Sequence, residues 1–173
     1  MVNYNIEIDD KQVVNGFKKI IRDMPIINRN ILSLISEGII AATVRDKLSG
    51  QVLKRKTGKL AQSLTYGISG AGNNLSSTIG SNLIYSAIQE KGGTILPVNK
   101  KLLHFYVDGR EVFTKKSVIP ARPYLEPTIN DFFATGKAKM IITRTLKNEL
   151  NRRMNWHILL IQKIYLITLK HLF

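Results

Sequence analysis

The spacing of the apolar residues changes near Leu60, and that change constrains the fold more than any other feature of the chain. Before it, Ile27, Ile31, Leu34, Ile35, Ile39, Ala42 and Leu48 recur at helical spacing for about six turns. After it, Leu64, Tyr66 and Ile68 alternate as in a strand with one buried face. Helical spacing returns beyond Pro127, where Ile129, Phe132, Phe133, Met140 and Leu150 mark one side of a helix and Lys137, Lys139, Arg144 and Lys147 the other. Helices first, a meandering sheet in the middle and a helix last predict an α+β domain.

The remaining elements follow from local signals. Val2, Tyr4, Ile6 and Ile8 alternate as a short strand or extended arm. Asp9 and Asp10 are suited to cap a helix from Lys11, with Val13, Val14, Phe17, Ile20 and Ile21 on one face, and Pro25 is expected to break it. The long helix then begins just after Pro25 and stops at Gly50, which makes two N-terminal helices. Gly70-Ala71-Gly72-Asn73-Asn74 joins two strands, and Leu83, Ile84, Ala87 and Ile88 form the stripe of a short helix, capped by Ser81 or Asn82 and stopped at Gly92-Gly93. Asp108-Gly109 is a type I′ hairpin signal whose register sets Phe105 opposite Val112 and His104 opposite Phe113. About four mostly antiparallel strands are expected in the central sheet, followed by one long C-terminal helix. Residues 1–154 read as a single domain and 155–173 as an atypical apolar tail.

Composition narrows the class. A chain of 173 residues buries roughly two-thirds of its unfolded surface as one fold. Its 44% hydrophobic and 22% charged residues exclude a largely disordered chain. The absence of cysteine excludes disulfides, zinc–thiolate sites and thiol catalysis. The first ten residues lack the basic flank and apolar run of a signal peptide. No run of about 18 uncharged apolar residues exists, so no membrane span is expected.

Catalytic patterns are missing as well. His104, His157 and His171 lie far apart without acidic partners at ligand spacing, and His104, on a strand beside aromatics, reads as a half-buried structural imidazole. Glu90 and Glu111 have no evident acid–base partner. Gly58-Lys59 fails as a phosphate loop, because Leu60 follows the lysine and Leu53 stands where the first glycine belongs. No catalytic residue, cofactor or metal is expected, and the chain reads as a non-enzyme.

A formal charge of +14 points instead to anionic partners. Arg45, Lys47, Lys54, Arg55, Lys56 and Lys59 place six positive charges in fifteen positions against one acid, Asp46. Two readings fit: a loop that contacts phosphates of DNA or an acidic partner, or a solvated linker. No aromatics are interleaved with these lysines, so binding there would be sequence-blind and salt-dependent.

Four segments then occur in one order: Thr57-Gly58-Lys59-Leu60-Ala61-Gln62-Ser63-Leu64, Ile79-Gly80-Ser81-Asn82, Tyr85 through Gly92-Gly93, and Ile119-Pro120-Ala121-Arg122-Pro123-Tyr124-Leu125. This series, over about residues 55 to 127, resembles the phage virion morphogenesis family, the tail completion or head–tail joining proteins of tailed bacteriophages and prophages. Ser86 and Gln89 depart from it, standing where the family commonly has alanine and histidine, so no role of that histidine carries over. The glycines at 58, 80, 92 and 93 are expected to supply turns and helix stops, and Tyr124 and Leu125 to enter the core. Arg122, between two prolines, is suited equally to a carboxylate of its own domain or to a neighbouring subunit.

The resemblance implies a non-enzymatic subunit of the virion tail or neck, assembled in the host cytoplasm. It would dock onto other tail or neck proteins as a ring-like homo-oligomer. The rival expectation, from another class, is a free basic protein that binds DNA without sequence preference. For Trp156 to Phe173, which has no Asp, Glu, Gly or Pro, two readings stand: a helix buried against other subunits, or an accidental C-terminus left by frameshift or truncation in a decaying prophage. A membrane-surface helix fits less well, because the polar residues are scattered.

Overall fold

The computed structural model describes residues 11–53 and 57–152. The expected arm at Val2–Ile8, the Asp9-Asp10 cap, Lys54, Arg55, Lys56 and the tail from Trp156 lie outside the described residues. The order is α1 (Lys11–Asp46), α2 (Lys59–Ser63), β1 (Leu64–Ala71), β2 (Asn74–Ser81), α3 (Ile84–Lys91), β3 (Gly93–Ile95), β4 (Leu103–Val107), β5 (Arg110–Thr114), β6 (Ser117–Ile119), α4 (Glu126–Ala134) and α5 (137–152). The class is α+β, as the change of period implies.

Pro25 does not divide the first helix: α1 runs through it for 36 residues. The apolar stripe explains why. Ile20, Ile27, Ile31, Ile35, Ile39 and Ala42 are all buried, spaced by seven, four, four, four and three, so the buried face keeps its phase across the proline. Pro25 and its neighbour Ile26 are exposed, and so is Ile21, the residue whose carbonyl would otherwise accept an N–H at position 25. An interior proline costs about 3 kcal/mol, less than burying one further isoleucine on each side recovers at roughly 1.5–3 kcal/mol apiece.

The chain divides into two compact units: Met1–Leu34, Ile68–Ser76 and Ala138–Phe173 make one, Ile35–Gly67 and Ser77–Lys137 the other. In the first, Ile20, Ile27, Ile31 and Ala138 are buried, Asn28 Nδ2 donates to Asn73 Oδ1 at 3.3 Å, and the Ser69 and Ser76 hydroxyls meet at 2.8 Å. In the second, Leu48, Leu64 and Tyr124 form a buried cluster, flanked by Ile40, Val44, Leu53, Leu60, Ala61 and Leu125. Thr43 sits fully inside this unit, with its hydroxyl satisfied by the Ile39 carbonyl at 2.9 Å.

Among the described residues the six strands form three two-stranded sheets instead of one sheet of about four. Alternation identifies strands, not their partners. β4 and β5 pair in the register that the Asp108-Gly109 turn dictates, Phe105 with Val112 and His104 with Phe113, and both turn residues have positive φ, 49° and 79°. β3 and β6 pair around that hairpin, Gly93 with Ile119 and Ile95 with Ser117, so the two ladders are nested.

Two helical readings change. The expected last helix is two, because Gly136, at φ 72°, ends α4 and α5 restarts at residue 137. This break moves the buried side: Phe132 and Ala138 are buried, Ile129 is half-buried, and Phe133, Met140 and Leu150 are exposed. Lys137 is half-buried instead of facing out. In α3 the face turns as well, with Ser86 buried, Ala87 exposed and Ile84 97% exposed.

Candidate functional site

The four motif segments all belong to the second unit, and the last two are joined directly. β3 begins at Gly93, opposite Ile119 at the end of β6, which brings the Pro120–Pro123 loop against the end of α3. The Arg122 N–H donates to the Gln89 carbonyl at 2.8 Å. Gly92 closes α3 with φ 72° and ψ 178°, a conformation essentially reserved for glycine, and the backbone of Ile119 and Ala121 fills the space where a side chain would go.

Glu90 completes the joint. Its carboxylate accepts from the backbone N–H of Tyr124 at 2.8 Å, of Leu125 at 3.0 Å and of Glu126 at 2.9 Å. α4 starts at Pro-Tyr-Leu-Glu-Pro, and its N-cap Leu125 has no side chain able to satisfy the free N–H groups there. Glu90 supplies that cap from 34 to 36 residues away, with a negative charge at the helix end where the dipole favours it. This role was not read from the sequence, although the missing cap residue before Glu126 was a visible signal. Glu90→Ala should lower stability by about 2 kcal/mol, because two part-buried donors and one exposed donor lose a charged acceptor. For a chain of this length a melting temperature lower by roughly 4–8 °C is expected, followed by circular dichroism. Glu90→Gln, which keeps one acceptor oxygen, should lose less. Unchanged melting in Glu90→Ala would dismiss the cap.

The core residues of the motif behave as expected. Tyr124 is 3% exposed against Leu48 and Leu64, with Leu60 and Leu125 packed on the same cluster. Burial, and then the nearby Glu90 charge, raise its phenol above the usual value of 10. Ser63 Oγ donates to the Leu60 carbonyl at 2.8 Å, which leaves Ser81 Oγ to donate to Ser63 at 2.6 Å while accepting the Leu83 N–H at 3.1 Å. The expectation for the glycines is corrected in part. Gly58, at φ 73°, opens α2 and Gly92 stops α3, but Gly80 and Gly93 lie within strands without positive φ.

The exposed residues of this joint are Tyr85, Pro120, Ala121, Arg122 and Pro123. Arg122 has no side-chain partner among the described residues, so of the two readings the sequence left open, no carboxylate there fulfils the first. Its backbone is held by the Gln89 bond, two prolines and the Glu90 cap two residues on. The result is an exposed, planar cation on a stiff loop, suited to bidentate pairing with a carboxylate or phosphate.

The basic segment is less available than its composition suggests. Arg45 donates twice to Asp46, at 2.6 and 2.7 Å, and these bonds hold the Asp46 carboxyl below the usual carboxylate range. Lys47 lies 4.0 Å from Asp131. Asp46, Lys47, Asp131 and Lys137 line one shallow cleft in which the charges balance, a poor anion site. Lys59, in the first turn of α2, is exposed.

Glu111 accepts from His104 Nε2 at 2.7 Å, and His104 is exposed on the hairpin instead of half-buried. Among the described residues no three His, Asp or Glu side chains gather in a way that could hold a metal ion, and no helix is long and apolar enough to cross a membrane. The chain matches no protein-family model, no curated protein and no solved structure.

Proposed function

We propose that this protein is a non-enzymatic assembly subunit of a phage or prophage virion, which completes the tail or the head–tail joint by docking as an oligomer onto a ring of partner proteins. One observation carries the reading: the last two of the segments that resemble the morphogenesis family meet at a joint that holds a stiff loop displaying Arg122. Glu90, Gly92, Tyr124 and Leu125 build that loop, and none of them is placed to react with a substrate. An exposed arginine held in one geometry loses little entropy on pairing, which suits a repeated contact between subunits or with an acidic patch on a partner ring. Work in the virion tail or neck, after assembly in the host cytoplasm, belongs to this same proposal.

Size-exclusion chromatography with light scattering, at moderate and high salt, tests it. A discrete oligomer free of nucleic acid and persistent in high salt is expected. Arg122→Glu should reduce it toward monomer while changing stability by no more than about 0.5 kcal/mol, as for other exposed substitutions. A monomer that carries nucleic acid until salt strips it would overturn the reading and favour the sequence-independent DNA binder, which the +14 charge supports.

A further inference from the structure

The β4–β5 hairpin has two unlike faces. Leu103, Phe105, Val112 and Thr114 are half-buried on one, whereas His104, Tyr106, Glu111 and Phe113 stand exposed on the other. On that outer face Tyr106 is 66% and Phe113 57% exposed. The His104 and Phe113 rings lie parallel, 7° apart in plane with centroids at 4.6 Å, and Tyr106 is tilted against His104 at 5.4 Å. Core packing explains the first face and leaves the second without a use.

Charge identifies what the outer face suits. Leu103 pairs with Thr114 at the open end of the hairpin, so Lys100 and Lys101 on one arm and Lys115 and Lys116 on the other approach that end together. All four are exposed, and none has an ion-pair partner among the described residues. The carboxylate on the ring face, Glu111, is already engaged by His104. Four unpaired cations beside exposed rings suit a polyanion that also presents flat apolar faces, and a duplex keeps its bases stacked inside, out of reach of the rings.

We propose that this face is a platform for single-stranded nucleic acid. Unpaired bases continue the parallel His104–Phe113 stack and cover Tyr106, while Lys100, Lys101, Lys115 and Lys116 neutralise the backbone phosphates. Stacking on aromatic side chains accepts any base, so the binding is independent of sequence. The site is distinct from the 45–59 basic segment and from the Arg122 joint, and it does not require the assembly role.

Fluorescence anisotropy of a labelled twenty-residue thymidine oligonucleotide, titrated with the full chain, tests the proposal. Tighter binding of this strand than of a duplex of equal length is expected. Tyr106→Ala and Phe113→Ala should each weaken it by at least about fivefold, and Phe113→Leu, which keeps the apolar volume, should weaken it too. Lys115→Ala with Lys116→Ala should flatten the slope of log affinity against log salt by about 1.4. Melting curves identify variants that have lost their fold. Equal affinity for duplex and single strand, unaffected by ring removal in folded variants, would overturn the proposal in favour of charge alone. Absent binding, with an oligomer that dissociates in Tyr106→Ala, would overturn it by making the face a contact between copies.

Discussion

Replacing Tyr124 by alanine is expected to destabilise the protein by about 4 kcal/mol, within the range for large aromatic truncations in cores. The ring is 3% exposed and stands between Leu48, which follows α1, and Leu64, which opens β1. Its removal leaves a void that these two residues and Leu60, Ala61 and Leu125 cannot close without shifting the elements that carry them. Thermal unfolding should move down by on the order of 10 °C. Tyr124→Phe separates the ring from its hydroxyl, whose bond to the Ser86 carbonyl is long at 3.5 Å, so this variant should lose less than about 1 kcal/mol.

Alkaline pH gives the same residue an independent test. The folded phenol is raised above its ordinary value of 10, chiefly by burial. Below pH 10 both states hold the proton and the contribution is complete. As pH rises past 10 the unfolded chain releases the proton while folded Tyr124 retains it, so stability falls until the folded phenol also ionises. The wild-type protein should therefore lose stability relative to Tyr124→Phe above pH 10. Parallel stability–pH curves for the two proteins would contradict the buried phenol.

Gly92→Ala is the second large effect, at about 3 kcal/mol or more. An alanine Cβ there would lie 2.7 Å from the Ala121 nitrogen and 3.0 Å from the Ile119 oxygen, and neither backbone atom has a rotamer through which to yield. The backbone conformation, φ 72° with ψ 178°, adds strain of about 1–3 kcal/mol for a residue with a side chain. Relief requires the 119–121 segment to leave α3, taking with it the Arg122 bond to Gln89 and the start of the β3–β6 ladder. Gly109→Ala is the control: its φ is 79°, yet nothing lies within 4 Å of the added carbon, so only the strain of about 1–2 kcal/mol remains. Urea unfolding of both variants measures the difference, and equal losses would show that close approach is unimportant at Gly92. If the Arg122 loop drives assembly, Gly92→Ala should also weaken the oligomer in its folded fraction.

The hairpin and the joint differ in how far they could be read from residues. The Asp108-Gly109 hairpin was legible because a two-residue turn with both φ values positive fixes register within ten residues. The α1 stripe was equally legible in its period, but Pro25 was read as a break, since local propensity says nothing of the burial that continues past it. Gly136 was passed over inside an apparent helix for the converse reason. Apolar spacing continued through it, while the left-handed cap decided which residues were buried.

The motif order was visible in the sequence; the joining of its last two segments was not. Glu90 had no evident partner because its three donors are main-chain N–H groups, which leave no mark on residue identity. Arg45 looked available for DNA by its charge, and one neighbouring aspartate engages it.

By itself the sequence determined the α+β class, the hairpin and its register, the period of the long helix and the strong positive charge. Each of these rests on neighbours close along the chain or on composition. Tertiary structure alone decided that α1 runs through Pro25, that the strands pair in twos, that Glu90 caps α4 and that the outer rings of the hairpin stay uncovered. Those outcomes depend on burial and on backbone hydrogen bonds between residues far apart in sequence, where the energy lies in the contact formed and not in either residue that forms it.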